Sequence, residues 1–584
     1  MKKINKQLSS IIPLIALPQF LYILFLLFIP FIGLVIYSFW TSDFFEIDRT
    51  FTLFNYYFIL FEEHLYLFLI FKSLFIGLMV AFVTIPIAFI LSYILTFKFE
   101  KISNLLLGIV MVSTLSSYLI RIYAWKIILG EQGIINKFFL FLGIINQPFT
   151  FLLYGNFSII ITLVHILLPF AFLPIYSSMQ NIDKQIVEAS RDLGFGFLMT
   201  IFKVIIPLSF PGIVAAFLFC FILSSADYVT PQLVGGADGV MIGRVIYDQF
   251  GHIGDPPLGS SIAVILLIIF SFLFFLIFII YKIYKILKTK IRFLFLYNKI
   301  YKNNYFSYFL SRIPFGYIFL FLIIVFLYTP LFVIIILSFS SAKFASFPIE
   351  EFSLHWYFEL FKDNVFHESL VASLIVGFIA VVGTFLLAMP TSFIFVRKKF
   401  FLKKIFFLIS LAPLFIPGII IGISWIAGMG ILDLRPGLYI VSSAHVLFCI
   451  PFFILIMRSR LMNFDLSIEE AARDLGSNPS RVLRTITFPI ILPSIVGACI
   501  LVFAVSLDEF IITNLVIGAN STIPTYIWGM MRYGLTPTAN SLSSIMIIIS
   551  VFLVIFSSLI MKNQKTNIFS NLDEYKLLSI IRNV

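Results

Sequence analysis

The sequence predicts an all-α polytopic membrane protein: about twelve transmembrane helices, arranged as two parallel six-helix repeats, each with one polar cytoplasmic loop. Three observations lead there. The chain of 584 residues is 61% hydrophobic and only 12% charged, with a mean hydropathy of +1.08, whereas soluble domains carry about 25% charged residues. Its apolar residues gather into runs long enough to cross a bilayer. A string in the first half, EASRDLG (188–194), returns almost unchanged as EAARDLG (470–476).

A spanning helix needs roughly 20 apolar residues. Such runs lie near 12–39, 73–96, 103–128, 157–179, 209–227 and 258–282, and again near 314–339, 369–395, 405–431, 438–457, 491–507 and 542–561. The runs 209–227 and 491–507 have polar ends, so their extents are the least defined. The first run follows Lys2, Lys3 and Lys6. It is longer than the apolar region of a signal peptide and lacks a small-residue cleavage site, so it reads as an uncleaved first helix. The 74 phenylalanines read as filling for lipid-facing positions. Cys220, Cys449 and Cys499 sit in apolar runs without metal-type spacing and read as inert helix residues.

With both termini placed inside, the inner segments (1–10, 97–104, 180–208, 282–313, 396–404, 458–490 and 562–584) hold 30 of the 40 Lys and Arg residues. Acids divide the other way, with 10 inside and 18 outside. Excess Lys and Arg marks the cytoplasmic side of a membrane protein. The predicted topology is therefore a multi-pass membrane protein with both termini cytoplasmic. The net charge of +12 then reports topology and requires no nucleic acid.

Glu188 and Glu470 differ by 282, and the same offset relates Gly194 to Gly476, Pro207 to Pro489, Pro211 to Pro493, Gly236 to Gly518 and Pro169 to Pro451. A shared offset over so long a stretch indicates duplication, or fusion of two related subunits. An even number of spans per half makes the repeats parallel. The expected organisation is a first transmembrane domain (1–282), a basic cytoplasmic linker (283–312), a second transmembrane domain (313–562) and a cytoplasmic tail (563–584). The linker is rich in Lys and Arg, has no acid and carries scattered aromatics. It reads equally as an amphipathic segment on the membrane surface or as a simple tether.

In FDLSIEEAARDLGSNPSRVLRTITFP (464–489), Asp465 or Ser467 can cap a helix, and Ser467 and Glu470 have capping-box spacing. Gly476 permits a left-handed C-cap, and Pro479 suits the first turn of a second short helix that Pro489 and Pro493 would close. The first half repeats this with Asp183, Gly194, Pro207 and Pro211. One such loop would be unremarkable. Two at one offset, with acid, small residue and glycine in register, suit docking onto a partner with two matching grooves.

These residues resemble the EAA loop of ABC importer permeases, whose pattern is EAA, three residues, G, nine residues and I-x-L-P. The chain has Glu470-Ala471-Ala472, Gly476, Ile486 and Phe488-Pro489, and also Glu188-Ala189-Ser190, Gly194, Val204 and Ile206-Pro207. The departures are Ser190, Val204, Ile206 and Phe488. The resemblance implies that Glu188, Ala189, Gly194, Glu470, Ala471 and Gly476 contact a cytoplasmic ATPase through coupling helices. The stretches 119–138, 163–183 and 224–250 look like the first of the two permeases of spermidine/putrescine-type importers, and 444–461 and 506–518 look like the second. Nearly the whole chain is covered, apart from the linker and the residues after about 562. Related permeases carry iron(III), thiamine, opines or phosphonates. The resemblance implies a cytoplasmic ABC ATPase dimer, an extracytoplasmic substrate-binding protein, a lipid bilayer and a small-molecule substrate as partners, and no cofactor or metal.

The chain has no G-x-x-x-x-G-K-[ST], so no P-loop cradles ATP phosphates, and no HExxH, CxxC or G-x-S-x-G. It is read as a non-enzymatic permease powered by another subunit. Charge in a spanning region usually faces a cavity or a partner. Asp227 pairs with Glu509, and Tyr228 with Phe510, at the shared offset, with Asp508 alongside. These five residues are candidates for a substrate path near the outer mouth, where acids and aromatic faces would attract a polyammonium ion. They read equally as helix-end acids at the interface, or as partners for Arg121. Arg121, Tyr123, Trp125 and Lys126 suggest an aromatic-belt anchor. His165 and His445 do not align with each other, and read as interhelical hydrogen-bond formers. The rival from another class, an ion-coupled secondary transporter, would want mid-helix carboxylates and no paired polar loops. A receptor or scaffold would want a sizeable soluble domain.

Overall fold

The computed structural model describes residues 14–291 apart from 44, 45 and 115, residues 313–533 apart from 343–348, 350 and 401, and residues 537–552. The chain is mostly helical there, and a short antiparallel pair, Thr41–Asp43 with Glu46–Asp48, is the only sheet among the described residues. Among the described residues, nine helices are long and apolar enough to cross a membrane, or up to eleven spans if two bent helix pairs each count as one. The nine are Leu14–Tyr37, His64–Lys98, Asn156–Gln180, Phe197–Ser225, Pro256–Ile277, Gly316–Leu337, Asn364–Arg397, Leu438–Met462 and Pro479–Asp508. Each coincides with a run expected from the sequence. The last expected run, 542–561, falls on the apolar helix Pro537–Phe552, and its end lies outside the described residues. So does most of the basic linker, although its first residues continue the helix Pro256–Ile291.

The runs 103–128 and 405–431, each expected as one straight helix, are broken. Leu105–Ser113 meets Tyr118–Phe141 at 81°, and Lys403–Phe415 meets Gly418–Leu432 at 98°. The second break has a local cause. Ile416 precedes Pro417 and is extended (φ −95°, ψ 127°), as steric conflict with a following proline ring requires. The short helices expected to close at Pro207/Pro211 and at Pro489/Pro493 instead run on into spans. A single wide π turn, Ile201–Ile205 or Leu483–Thr487, lies just ahead of Pro207 and Pro489. Shifting the ladder there to i→i+5 accommodates a ring that has no N–H to donate.

Contacts divide the chain into two compact units, residues 33–354 and residues 1–32 with 355–584. The first is built on three mutually packed helices, His64–Lys98, Asn156–Gln180 and Phe197–Ser225. Small residues set their closeness: a Cβ at Gly212 would meet the Pro174 carbonyl oxygen at 2.4 Å. The second unit is built likewise on Asn364–Arg397, Leu438–Met462 and Pro479–Asp508. Membership by packing differs from the sequence halves. In the first unit, Tyr328 donates to the Ile109 carbonyl at 2.7 Å, and His165 lies 3.1 Å from the Leu327 carbonyl. In the second, Gln19 donates to Ser410 at 2.8 Å and Tyr22 to the Ser443 carbonyl at 2.9 Å.

The register between halves also changes partway. The second spans, from His64 and Asn364, start 300 residues apart, with Ser73/Ser373 and Gly77/Gly377 in step. Ser73 accepts the N–H of Ile242, and Ser373 that of Ile523, each at 2.8 Å. The fourth spans, from Asn156 and Leu438, are 282 apart. The difference is taken up before the fourth span of the first half. There Asn136 bonds the Gly130 and Phe149 carbonyls and fastens an extra helix, Ile134–Phe141.

Candidate functional site

The first polar loop folds as the helix Lys184–Asp192. Asp183 caps it by accepting the Gln185 N–H at 2.9 Å. Gly194 ends it at φ +83°, in the left-handed region that only glycine enters cheaply. Inward lie Val187 and Ser190, both buried, and Ser190 lies 3.2 Å from the Thr200 hydroxyl.

The second polar loop folds as Ser467–Asp474, ended by Gly476 at φ +89°. Of the two capping candidates, Asp465 is the one that bonds the helix start, accepting the Ser467 N–H at 3.0 Å from just ahead of Leu466, the residue at the N-cap position. Ser467 lies inside the helix, so the capping box does not form. Asn478 accepts the Arg481 N–H at 2.8 Å and starts the next helix, with Pro479 in its first turn. Inward lie Ala472 and Glu469, the latter only 3% exposed. Its carboxylate accepts from Arg397, from Thr487 at 2.6 Å and from Arg473 at 3.4 Å. Burial alone would raise this carboxyl's pKa. The hydrogen bonds from Arg397 and Thr487 and the charges of Arg397 and Arg473 outweigh it and hold the group below the usual carboxylate range.

The outward faces match. Glu188 and Glu470 are exposed, as are Ala189 and Ala471, and nothing lies within 4 Å of a Cβ built on Gly194 or Gly476. The sequence reading missed the apolar flanks: Leu193 is 72% exposed and Leu475 57%, with Ile186 and Ile468 also open. Their signal was present, because both pairs keep the offset of 282. On each loop by itself, an exposed acid flanked by exposed aliphatics makes a surface that a partner can dehydrate and grip.

The candidate path residues are less open. Asp227 is buried, and its Oδ1 accepts from the Tyr118 hydroxyl at 2.6 Å and from the Val229 N–H at 3.1 Å. Its Oδ2 is buried and accepts nothing among the described residues. Glu509 is also buried and caps the helix Ile511–Val516 through the N–H groups of Ile512 (2.8 Å) and Thr513 (2.9 Å). His445 stands 3.4 Å from it, and 2.7 Å from both Ser506 and Thr513. Asp508 is half-buried. Tyr228 and Phe510 are fully covered, Tyr228 stacked 4.6 Å from Tyr247 and Phe510 lying 5.1 Å from Trp528. Within each half the acid and its aromatic are thus brought together, but the aromatic faces are occupied.

The belt expected around Arg121 is overturned. Arg121, Tyr123 and Trp125 are buried, because the bend before Tyr118 turns this helix into the packed interior against Asn156–Gln180 and Ile313–Leu337. Arg121 donates to the Ile166 carbonyl at 3.3 Å, and Trp125 lies edge-on to His165 at 5.7 Å.

The family model described as "binding-protein-dependent transport system inner membrane component" matches residues 381–568. The chain is 36% identical over 243 residues to the spermidine/putrescine transport system permease protein PotB of Salmonella typhimurium, covering 41% of this chain and 84% of that one. It is 35% identical over 243 residues to PotB of Escherichia coli, covering 41% of this chain and 87% of that one. It is 30% identical over 243 residues to PotC of Haemophilus influenzae, covering 41% of this chain and 94% of that one. A solved bacterial ABC transporter involved in the import of alginate aligns over 46% of this chain and 99% of its own at 16% identity and TM-score 0.34, too low for any correspondence to be drawn.

Proposed function

We infer the function from one premise: the chain belongs to the family of inner membrane components of binding-protein-dependent transport systems. We propose that it is the membrane-spanning permease of an ATP-driven importer, holding both permease halves in one chain of twelve spans as two parallel repeats. The observation that carries this is the matched pair of loop helices, alike in exposed acid, alanine, leucine and left-handed glycine. We propose polyamines, spermidine or putrescine, as the cargo, on the strength of relatives named for them.

In this reading both termini and both loops are cytoplasmic, as the distribution of Lys and Arg favours. Glu188, Ala189 and Gly194, with Glu470, Ala471 and Gly476, seat the two subunits of an ABC ATPase that hydrolyses ATP on the permease's behalf. A substrate-binding protein delivers cargo to the outer face. Closure of the ATPase pair moves the loop helices, and each passes movement on to the span it leads into. The halves then exchange inward- and outward-facing states, because nucleotide binds one arrangement more tightly than the other.

We place the substrate path along Asp227, Asp508 and Glu509, with Tyr228 and Phe510 beside them. The burial of both Asp227 and Glu509 supports this, since a carboxylate inside a spanning region usually faces a cavity or a partner. The covered faces of Tyr228 and Phe510 mean that cation–π contact would require a different conformation.

Two experiments test the reading. Glu188→Arg with Glu470→Arg should abolish co-purification of the ATPase and lower uptake by more than about tenfold, with the chain still expressed and monodisperse. Uptake in ATPase-free vesicles driven by an ion gradient would instead favour a secondary transporter. Asp227→Asn with Glu509→Gln should weaken polyamine uptake while leaving ATPase retention unchanged; normal uptake would remove these acids from the path.

A further inference from the structure

The residues beneath the two loop helices are not the same chemistry. At the offsets that align the halves, Phe97, Val187 and Ile205 in the first correspond to Arg397, Glu469 and Thr487 in the second. In the first half Val187 and Ile205 are buried apolar groups, and the buried polar contact beside them is the neighbouring pair Ser190 and Thr200, 3.2 Å apart. In the second half that neighbouring pair is apolar, Ala472 and Val482, both buried. Its polar contact is the cluster around Glu469.

That cluster ties three elements to one carboxylate. Arg397 is the last residue of the span Asn364–Arg397, Glu469 lies on the loop helix, and Thr487 belongs to the π turn that leads into the next span. The Arg397 guanidinium is also held over the rings of Phe393 (5.5 Å) and Phe464 (5.2 Å). A buried carboxylate with several charge-assisted hydrogen bonds resists displacement more than an apolar contact does, since sliding it would leave charge uncompensated. The first loop helix is held by the Ser190–Thr200 contact, by a hydrogen bond between Arg191 and Tyr93 and by the solvent-exposed pair Lys184–Glu100, but by no buried charge, and neutral or solvent-screened bonds yield at lower cost.

We propose that Glu469 and Arg397 form a charge latch that makes the second loop helix the stiffer of two unequal levers, so that movement of a docked ATPase reaches the spans more fully through the second half than through the first. Both are positioning residues, acting through the helix they hold. The proposal rests on the coupling-helix reading of the loops.

The test uses the full chain with its co-purified ATPase in proteoliposomes, with spermidine as the probe. The readout is spermidine moved per ATP hydrolysed, together with hydrogen exchange over 463–477. Glu469→Gln keeps the shape and removes the charge; Val187→Thr is the matched change in the first half. Glu469→Gln should lower transport per ATP about fivefold, speed exchange over 463–477 and leave the ATPase bound, whereas Val187→Thr should change the ratio by less than about twofold. If Glu469→Gln does not fold, Arg397→Gln with Glu469→Gln replaces it, removing both charges at once, and the same loss is expected. Wild-type transport per ATP in whichever of these folds, or an equal loss in Val187→Thr, would overturn the proposal. Glu188→Arg with Glu470→Arg separates this from the underlying reading. If that double variant still binds the ATPase, the coupling reading itself fails; if it releases the ATPase while the latch variants behave as wild type, only the latch fails.

Discussion

Glu188 and Glu470 stand on the exposed sides of their helices with Ala189 and Ala471 beside them, while one residue earlier Val187 and Glu469 fill corresponding buried positions with opposite chemistry. Outward, the helices answer to a surface they must fit, so acid, alanine, leucine and glycine recur at one spacing. Inward, each need only fill the space left by its own spans. A well-packed apolar contact and an ion pair whose carboxylate is backed by further hydrogen bonds are both admissible solutions to that problem. A half-built ion pair is not.

Transplanting one solution into the other half should therefore fail. Val187→Glu would bury a carboxylate where Phe97 stands in place of the Arg397 guanidinium, leaving Arg191, the counterpart of the more distant Arg473, as its remaining cationic neighbour. The expected cost is about 3–5 kcal/mol, read as a large fall in the melting temperature of the purified chain. Adding Phe97→Arg should recover part of it. If Val187→Glu melts like the wild type, the first seat is more open than its 4% exposure implies and the contrast with Glu469 collapses.

The glycine corners make the opposite comparison, because both demand the same backbone. Gly194 and Gly476 have open space where a side chain would go, so only their φ values of +83° and +89° resist substitution. Gly194→Ala and Gly476→Ala should each destabilise the corner by about 1–2 kcal/mol, seen as faster hydrogen exchange over the preceding turn. Unequal effects would show that the inner seats also set the strength of the corners.

Acid provides the gentlest probe. The pKa of Glu469 is held below its ordinary value of 4.5 in the folded chain. The stability it contributes is therefore fully present above about pH 4.5 and is lost as pH falls through the lower folded value. Val187 has no proton to take up. Lowering the pH from 6 to below 4 should loosen 463–477 more than 181–195 in hydrogen exchange; equal loosening would argue that the Glu469 bonds contribute little.

Much of the site was legible before any coordinates. The offset of 282 aligned the loops, and local rules placed Asp183, Asp465, Gly194 and Gly476 in the roles they hold. What escaped was long-range. Arg397 reaches Glu469 across 72 positions, and no periodicity joins the end of a span to a loop that far along the chain. Arg121 misled for the same reason: Arg, Tyr and Trp near a helix end look like an interfacial anchor until a bend turns them inward.

The sequence by itself determined the membrane class, the approximate positions of the spans, the recurring offset of 282 and the two polar loop strings that share it. These follow from hydrophobic run length, capping chemistry and internal spacing, all of which are local or self-referential. Only the tertiary structure decided which helices pack together, where spans break, that Asp227 and Glu509 are buried beside bonded neighbours, and that one loop helix is seated on charge and the other on aliphatic groups. Those outcomes depend on close packing and on completing the bonds of buried polar groups, and both are set by residues far apart in the chain.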